Sequence, residues 1–381
     1  MRTTFVLAPD SFKESMTAHE ACQAMQRGIA QVFEDARFIL IPMADGGEGT
    51  VDAILAARQG EKVQLEVMGP LPEQRVLADF ALIDAGKTAV IEMAQANGIH
   101  LLDVKQRNPQ LTSTYGTGEL IKAALDRGVS KIIVGLGGSV TNDAGAGMAQ
   151  ALGVRFLDPA AQEVAYGAVG LGAIQQIDLT GLDPRLANTE IVIASDVNNP
   201  LTGPQGASQI FGPQKGASPA MVVQLDQQLS HFARLVKQHL HVDVEDLAGA
   251  GAAGGLGYAL MVFAQGRMVS GVEMVIEHTH LAAAIADADY VFTGEGAIDA
   301  QTLAGKTPFG VAQVARALHK PVIACAGRVG SDIDALYAAG FSAIFGILDQ
   351  SCQLEEACRH GARNLQRSCE NIARLLKLQQ Q

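Results

Sequence analysis

Five times along this chain an apolar run ends directly in a short stretch built from Gly, Asp, Glu, Ser, Thr and Asn. The stretches are Ala8-Pro9-Asp10-Ser11-Phe12-Lys13, Ala44-Asp45-Gly46-Gly47-Glu48-Gly49-Thr50, Gly137-Gly138-Ser139-Val140-Thr141-Asn142-Asp143, Ser195-Asp196-Val197-Asn198-Asn199-Pro200 and Thr293-Gly294-Glu295-Gly296-Ala297-Ile298-Asp299. Short, continuously apolar runs alternating with helices are the mark of a buried parallel sheet. The polar stretches then fall at the carboxyl ends of strands, the edge where open α/β sheets bind ligands. Small residues there let backbone N–H groups approach an anion, and the next helix N-terminus adds a favourable dipole. Several carboxylates converging at one edge need a divalent cation or a proton to hold them together. Any one such stretch also serves as ordinary capping and turn chemistry, which five together outrun.

The ends of the chain carry the alternation. Thr4–Ala8 reads as a strand, and Thr17 with Glu20 three residues later forms a capping box for a helix with Ala21, Ala24, Met25, Ile29 and Val32 on one stripe. Phe38–Ile41 is a strand and Thr50–Ala57 a helix. Later come strands Tyr290–Phe292, Pro321–Cys325 and Ala343–Leu348, helices Phe309–Leu318 and Asp332–Ala339, and one long closing helix, Leu354–Leu378. The middle differs: Val63–Val67, Val76–Leu82 and Thr88–Met93 look antiparallel. Helices Glu119–Asp126 and Ala144–Leu152 and strands Lys131–Val134 and Glu190–Ala194 follow them. The reading is two α/β domains. Residues 1–60 plus 286–381 make a parallel-sheet domain, and 61–285 make an inserted mixed α/β domain with antiparallel strands. The active-site cleft is expected between them.

Composition narrows the function. At 381 residues and 48% hydrophobic, the chain has material for two or three cores. Lys+Arg 28 against Asp+Glu 40 leaves −12, which disfavours nucleic acid and anionic membranes as partners. Aromatics are 5% and Trp is absent, so stacking platforms for bases or sugars are not the theme. Five scattered cysteines without CxxC spacing fit a reducing cytosol, and no signal peptide is visible before the strand at Thr4. The uncharged run Leu247–Gly266 is dense in glycine and reads as a loop followed by a buried helix, not a membrane span.

Single motifs give less. Gly249-Ala250-Gly251-Ala252-Ala253-Gly254 matches GxGxxG, but the acidic segment before it is a poor buried strand, against a Rossmann site. Gly86-Lys87-Thr88 and Gly305-Lys306-Thr307 look like Walker A endings, with Ala81 and Ala300 where the first glycine belongs. The first reads as a hairpin turn; the second leaves Lys306 able to reach an anion. Lys13 and Lys215 are the better candidates for a carboxylate or phosphate, against the ordinary fate of a solvated lysine. The histidines offer no metal-helix spacing, and no acyl-enzyme nucleophile arrangement appears.

Taken together, APDSFKES (8–15), ADGGEGT (44–50), RNP (107–109), TSTYGTGELI (112–121), GLGGSVTNDAGAGM (135–148), SDVNNPLTGPQGAS (195–208), FGPQKGA (211–217), GAGAAGGLG (249–257) and TGEGAIDAQT (293–302) closely resemble the bacterial glycerate kinase family of the glycerate 2-kinase type. The resemblance implies a flavodoxin-like domain split by an insertion, no P-loop, and Mg²⁺-assisted transfer of the γ-phosphoryl group of ATP to D-glycerate, giving 2-phosphoglycerate and ADP. For that reaction Asp196, after a strand and before a rigid Asn-Asn-Pro turn, is the first choice for general base, with Asp10 or Asp45 able to do the same work and Lys13 a further catalytic candidate. Ser11, Arg107, Lys215 and Asn198 are candidates for the substrate, and Gly137, Gly138, Ser139, Gly251 and Gly254 for nucleotide phosphates. Asp45, Glu48, Glu295 and Asp299 are candidates for the metal. A homodimer stays open. Two other classes are carried alongside: an NAD(P)-dependent hydroxy-acid dehydrogenase using Gly249–Gly254, and a non-catalytic small-anion binding protein. A thermal-shift panel with ATP–Mg²⁺, NAD, NADP and glycerate separates the three, and coupled ADP release with D-glycerate tests the kinase directly.

Overall fold

The computed structural model describes residues 2–378. Among them thirteen strands form three sheets. The strands are β1 (Thr4–Leu7), β2 (Arg37–Leu40), β3 (Gly60–Met68), β4 (Arg75–Ile83), β5 (Thr88–Glu92), β6 (Lys131–Gly135), β7 (Arg155–Leu157), β8 (Gln176–Asp178), β9 (Glu190–Ala194), β10 (Arg267–Val269), β11 (Tyr290–Ile298), β12 (Val322–Val329) and β13 (Ala343–Gly346). The chain divides into two compact units. The first takes in the chain up to Asp45, Asp52–Arg58 and everything from Ser270 on; the second is Gly46–Val51 with Gln59–Val269.

The first unit is built on a five-stranded sheet in the order β13-β12-β11-β1-β2, parallel throughout. Counted within the unit this is the 2-1-3-4-5 order of flavodoxin-like sheets. Strand β1 is fully buried, and Phe5 sits among the rings of Phe33, Phe38, Tyr290 and Phe292 at 5.1–6.1 Å. Burying a side chain of that size stabilises by about 1.5–3 kcal/mol. The helix Ala18–Ala30 opens on the expected capping box: Glu20 N donates to Thr17 Oγ1 at 3.2 Å and Thr17 N to Glu20 Oε2 at 2.8 Å. It buries Ala21, Met25 and Ile29 and lies close along the last helix. A Cβ added at Gly28 would overlap the carbonyl oxygen of Gln366.

Two sequence expectations change here. The closing helix is two helices, Leu354–Arg359 and Gly361–Leu378. They part at a glycine whose added Cβ would overlap Ser15 Oγ, and that hydroxyl donates to Cys358 O at 2.6 Å. The apolar stripe alone does not report this crossing of a distant loop. Second, β11 runs on through Thr293-Gly294-Glu295-Gly296-Ala297, so Glu295 lies on a strand and not in a loop. It pairs in register with Ala326 of β12. Cross-strand pairing satisfies the backbone and overrides the turn-like composition. Glycine is required for the fit: a Cβ at Gly294 would overlap Cys325 O.

The second unit carries the mixed sheet β10-β9-β6-β5-β4-β3. As expected, β3, β4 and β5 pair antiparallel; β5, β6, β9 and β10 are parallel. The hairpin after β4 turns at Asp84, Ala85 and Gly86, all at positive φ, so Gly86-Lys87-Thr88 is turn chemistry. The β7–β8 pair and β10, three residues each, had no pattern long enough to read. The uncharged run folds as a 3-10 turn, Ala252–Gly254, and a buried helix, Leu256–Phe263. Among the described residues no helix is long and apolar enough to cross a membrane.

Candidate active site

In the first unit the connections from β1 and β11 leave in opposite directions across the sheet. The crevice at their carboxyl ends is the topological switch point. Asp10 follows β1 there. Its N–H donates to Gly294 O at 2.8 Å, and Thr293 Oγ1 donates to Ala8 O at 2.8 Å, locking the two strand ends together. One carboxylate oxygen of Asp10 accepts from Ser11 N at 2.6 Å, and the other from Thr307 Oγ1 at 2.6 Å. Glu295 accepts from Thr302 Oγ1 at 3.2 Å and pairs with Lys306 Nζ at 3.4 Å.

These carboxylates perturb one another. Burial, then the charge of Asp45, pushes the Asp10 carboxyl up to about 7, against the bonds from Thr307 and Ser11. Burial also raises Glu295, opposed by Lys306 and Thr302. Asp10, Asp45 and Glu295 face one cavity of about 570 Å³ together with Lys13, Lys306 and Arg328. Lys13 is exposed, on a loop closed by the Phe12–Met16 bridge, where Glu14 takes a φ of 63°. Lys306 and Thr307 are the contributors the sequence left outside the candidate set, although the Gly305-Lys306-Thr307 triplet was their signal.

The second unit has its own polar rim. Asp143 is fully buried: its carboxylate accepts from Thr114 N (2.8 Å), Thr114 Oγ1 (2.9 Å), Gly147 N (3.2 Å) and Gly145 N (3.1 Å). Burial still raises its pKa above the usual carboxylate range. Lys215 is 1% exposed and donates to Ser139 Oγ at 2.9 Å and Thr141 O at 2.7 Å. Burial pulls its ammonium down to about 7, against the attraction of Asp143. Asn142 donates to Ser208 Oγ at 2.9 Å and keeps its buried Oδ1 without a partner.

Several candidates are taken up by the protein itself. Lys215 is an internal tie of the 137–141 loop, not a solvated arm. Arg107 donates to the carbonyls of Leu102 and Ile99 at 3.4 Å. An added Cβ at Gly137 would overlap Gly47 Cα, one at Gly251 the carbonyl of Pro200, and one at Gly254 the carbonyl of Thr141. Gly138, at φ 74°, accepts from Ile99 N. Backbone packing is thus reason enough for these glycines. Asp196 is half-buried after β9, and Asn198 beside it is exposed. Turn structure, not a strand, precedes Gly249–Gly254, so the dinucleotide fingerprint lacks its context.

The four carboxylates offered for the metal do not gather at one point. Among the described residues no group of three or more His, Cys, Asp or Glu side chains is arranged to hold a metal. Glu48 is exposed and belongs to the second unit, while Asp299 caps the turn Ala300–Ala304 and pairs with Arg328 at 3.2 Å. Asp45 and Glu295 stay beside Asp10, whose pKa their charges raise.

Residues 5–377 match the model of the glycerate kinase family. The chain belongs to the glycerate kinase family. It is 50% identical to the glycerate kinase of Haemophilus influenzae and 49% identical to the glycerate 2-kinase of Escherichia coli, each over 98% of both chains. It is 48% identical to the glycerate kinase of Bacillus subtilis, over 98% of this chain and 97% of that one. A crystal structure named for glycerate kinase 2, from Salmonella typhimurium LT2, superposes with a TM-score of 0.86 at 46% identity and full coverage of both chains. For a member of this family, the dehydrogenase and passive-binder readings find no support.

Proposed function

We propose that this chain is an ATP-dependent glycerate 2-kinase, transferring the terminal phosphoryl group of ATP to the 2-hydroxyl of D-glycerate. Beyond family membership, the observation that carries the chemistry is the Asp10, Asp45 and Glu295 carboxylate group beside Lys13 and Lys306, at the switch point of a flavodoxin-like sheet. Phosphoryl transfer asks for positioning and charge neutralisation more than covalent chemistry. In this reading Asp10, oriented by Thr307 and Ser11, takes the proton of the attacking hydroxyl as the new oxygen–phosphorus bond forms and the bond to ADP breaks. Lys13 and Lys306 face the phosphate oxygens, and Ser11 the substrate.

Asp45 and Glu295 are hard oxygen donors whose charges both bear on Asp10. That fits Mg²⁺, which binds through one or two carboxylates and completes its shell with water and phosphate. When bound, Mg²⁺ neutralises charge on the phosphate oxygens. The five thiols, none in a disulfide, suit a cytoplasmic enzyme. The deciding experiment is ADP release with D-glycerate, with the product's phosphorylated position read by ³¹P NMR. 2-Phosphoglycerate is expected. No ADP above background across several hydroxy acids and nucleoside triphosphates would end the kinase reading.

A further inference from the structure

We propose that the side of the first unit's cavity walled by Leu348, Leu354 and Ala357, with Ile347 buried behind them, is the nucleoside subsite, taking the purine and ribose of ATP. This rests on the kinase reading and gives it an address within one unit.

The cavity has two chemically different sides. Asp10, Asp45, Glu295 and the lysines make one. The other is made by Ile347 and Leu348 just past β13, Cys352, and the helix Leu354–Arg359 with Ala357 and Cys358. Leu348 is 48% exposed and Leu354 70% exposed, so large aliphatic side chains stand uncovered beside a charged site. Of the reactants, glycerate is a carboxylate and two hydroxyls on three carbons, with no apolar face to place there. The purine is the one flat, weakly hydrated group available.

Distance points the same way. β13 stands three strands from β1, so Ile347 and Leu348 just past it lie roughly 14 Å across the sheet from the end that carries Asp10, while the helix Leu354–Arg359 reaches back to the 12–16 loop through the bond from Ser15 Oγ to Cys358 O. An extended nucleoside triphosphate covers such a span and glycerate does not. A volume of about 570 Å³ suits a ligand of nucleotide size. Gly296 and Gly327 also line the cavity; a Cβ added at Gly327 would overlap the Gly296 carbonyl, while one at Gly296 would meet the Phe12–Lys13 backbone only at ordinary contact distance. The only ring in the wall, Phe12, is 2% exposed, so the base is held between aliphatic side chains.

The cysteines supply the test. Cys352 and Cys358 are half-buried in this wall, whereas Cys22, Cys325 and Cys369 are buried elsewhere and act as controls in the same chain. Intact protein is treated with iodoacetamide and each thiol followed by peptide mass spectrometry. Saturating ADP is expected to slow modification of Cys352 and Cys358 at least tenfold; D-glycerate alone should leave both within twofold. The Leu348→Gln, Leu354→Gln double variant should raise the KM for ATP at least tenfold and leave the KM for glycerate within twofold. Three results would overturn the subsite while leaving the kinase reading intact. They are ADP that binds in equilibrium dialysis yet leaves both thiols reactive, protection by glycerate alone, and reactivity that falls with protein concentration without nucleotide, which would assign the wall to a second copy of the chain. Absence of both ADP binding and ADP release brings down subsite and activity together.

Discussion

Asp10 owes its chemistry to a shortage of water and an excess of neighbouring charge. Its pKa rises from 3.8 to about 7, so the folded chain holds this proton more tightly than the unfolded chain does. Below about pH 4 the group is neutral in both states and costs nothing. As pH climbs from about 4 to about 7 the unfolded state ionises first, and the fold loses up to about 4 kcal/mol at about 1.4 kcal/mol per unit. Asp10→Asn is therefore expected to raise Tm at about pH 8 in the presence of chelator, to leave it unchanged near pH 4, and to cut kcat by about 10²–10⁴-fold. Thermal melts at both pH values and steady-state kinetics check this. Near-normal turnover in Asp10→Asn with loss in Asp196→Asn would return the base to Asp196. The sequence placed both carboxylates correctly after strands. The charges and hydroxyl that surround Asp10 belong to the packing around it. Lys215 makes the same point: from its polar stretch it reads as a candidate arm for a carboxylate or phosphate, yet it is buried and ties Ser139 to Thr141.

Elements show where periodicity suffices and where it stops. The capping box at Thr17 and the antiparallel β3-β4-β5 meander are local patterns, and both formed as read. The split of the last helix at Gly361 is not local, since it answers to Ser15, more than three hundred residues away. Two glycines separate propensity from fit. Alanine normally gains about 1 kcal/mol over glycine inside a helix. At Gly28 the added methyl meets the backbone of Gln366, which cannot rotate away, so Gly28→Ala is expected to cost about 1–3 kcal/mol. At Gly361 it meets the end of the Ser15 side chain, which can turn aside. Gly361→Ala should leave stability within about 1 kcal/mol while loosening the 12–16 loop and raising KM. Chemical denaturation of both variants, with kinetics on the second, tests the ranking.

At the scale of the whole molecule the two units have separate cores. Phe5, Leu7, Met25 and Phe292 belong to one; Phe80, Ile132, Phe156 and Tyr258 belong to the other. Residues 46–269 expressed alone are expected to melt cooperatively and to release no ADP with glycerate, because Asp10, Lys13, Asp45 and Glu295 all lie in the first unit. Calorimetry and the coupled assay read the two halves of that expectation. The alternation of apolar runs and polar stretches was enough to establish the α/β class, since it follows from spacing within a few dozen residues. Strand order, the run of β11 through Glu295, the burial of Lys215 and the company Asp10 keeps came only with the folded chain. Those depend on which distant segments exclude water from one another, a quantity no local window of sequence contains.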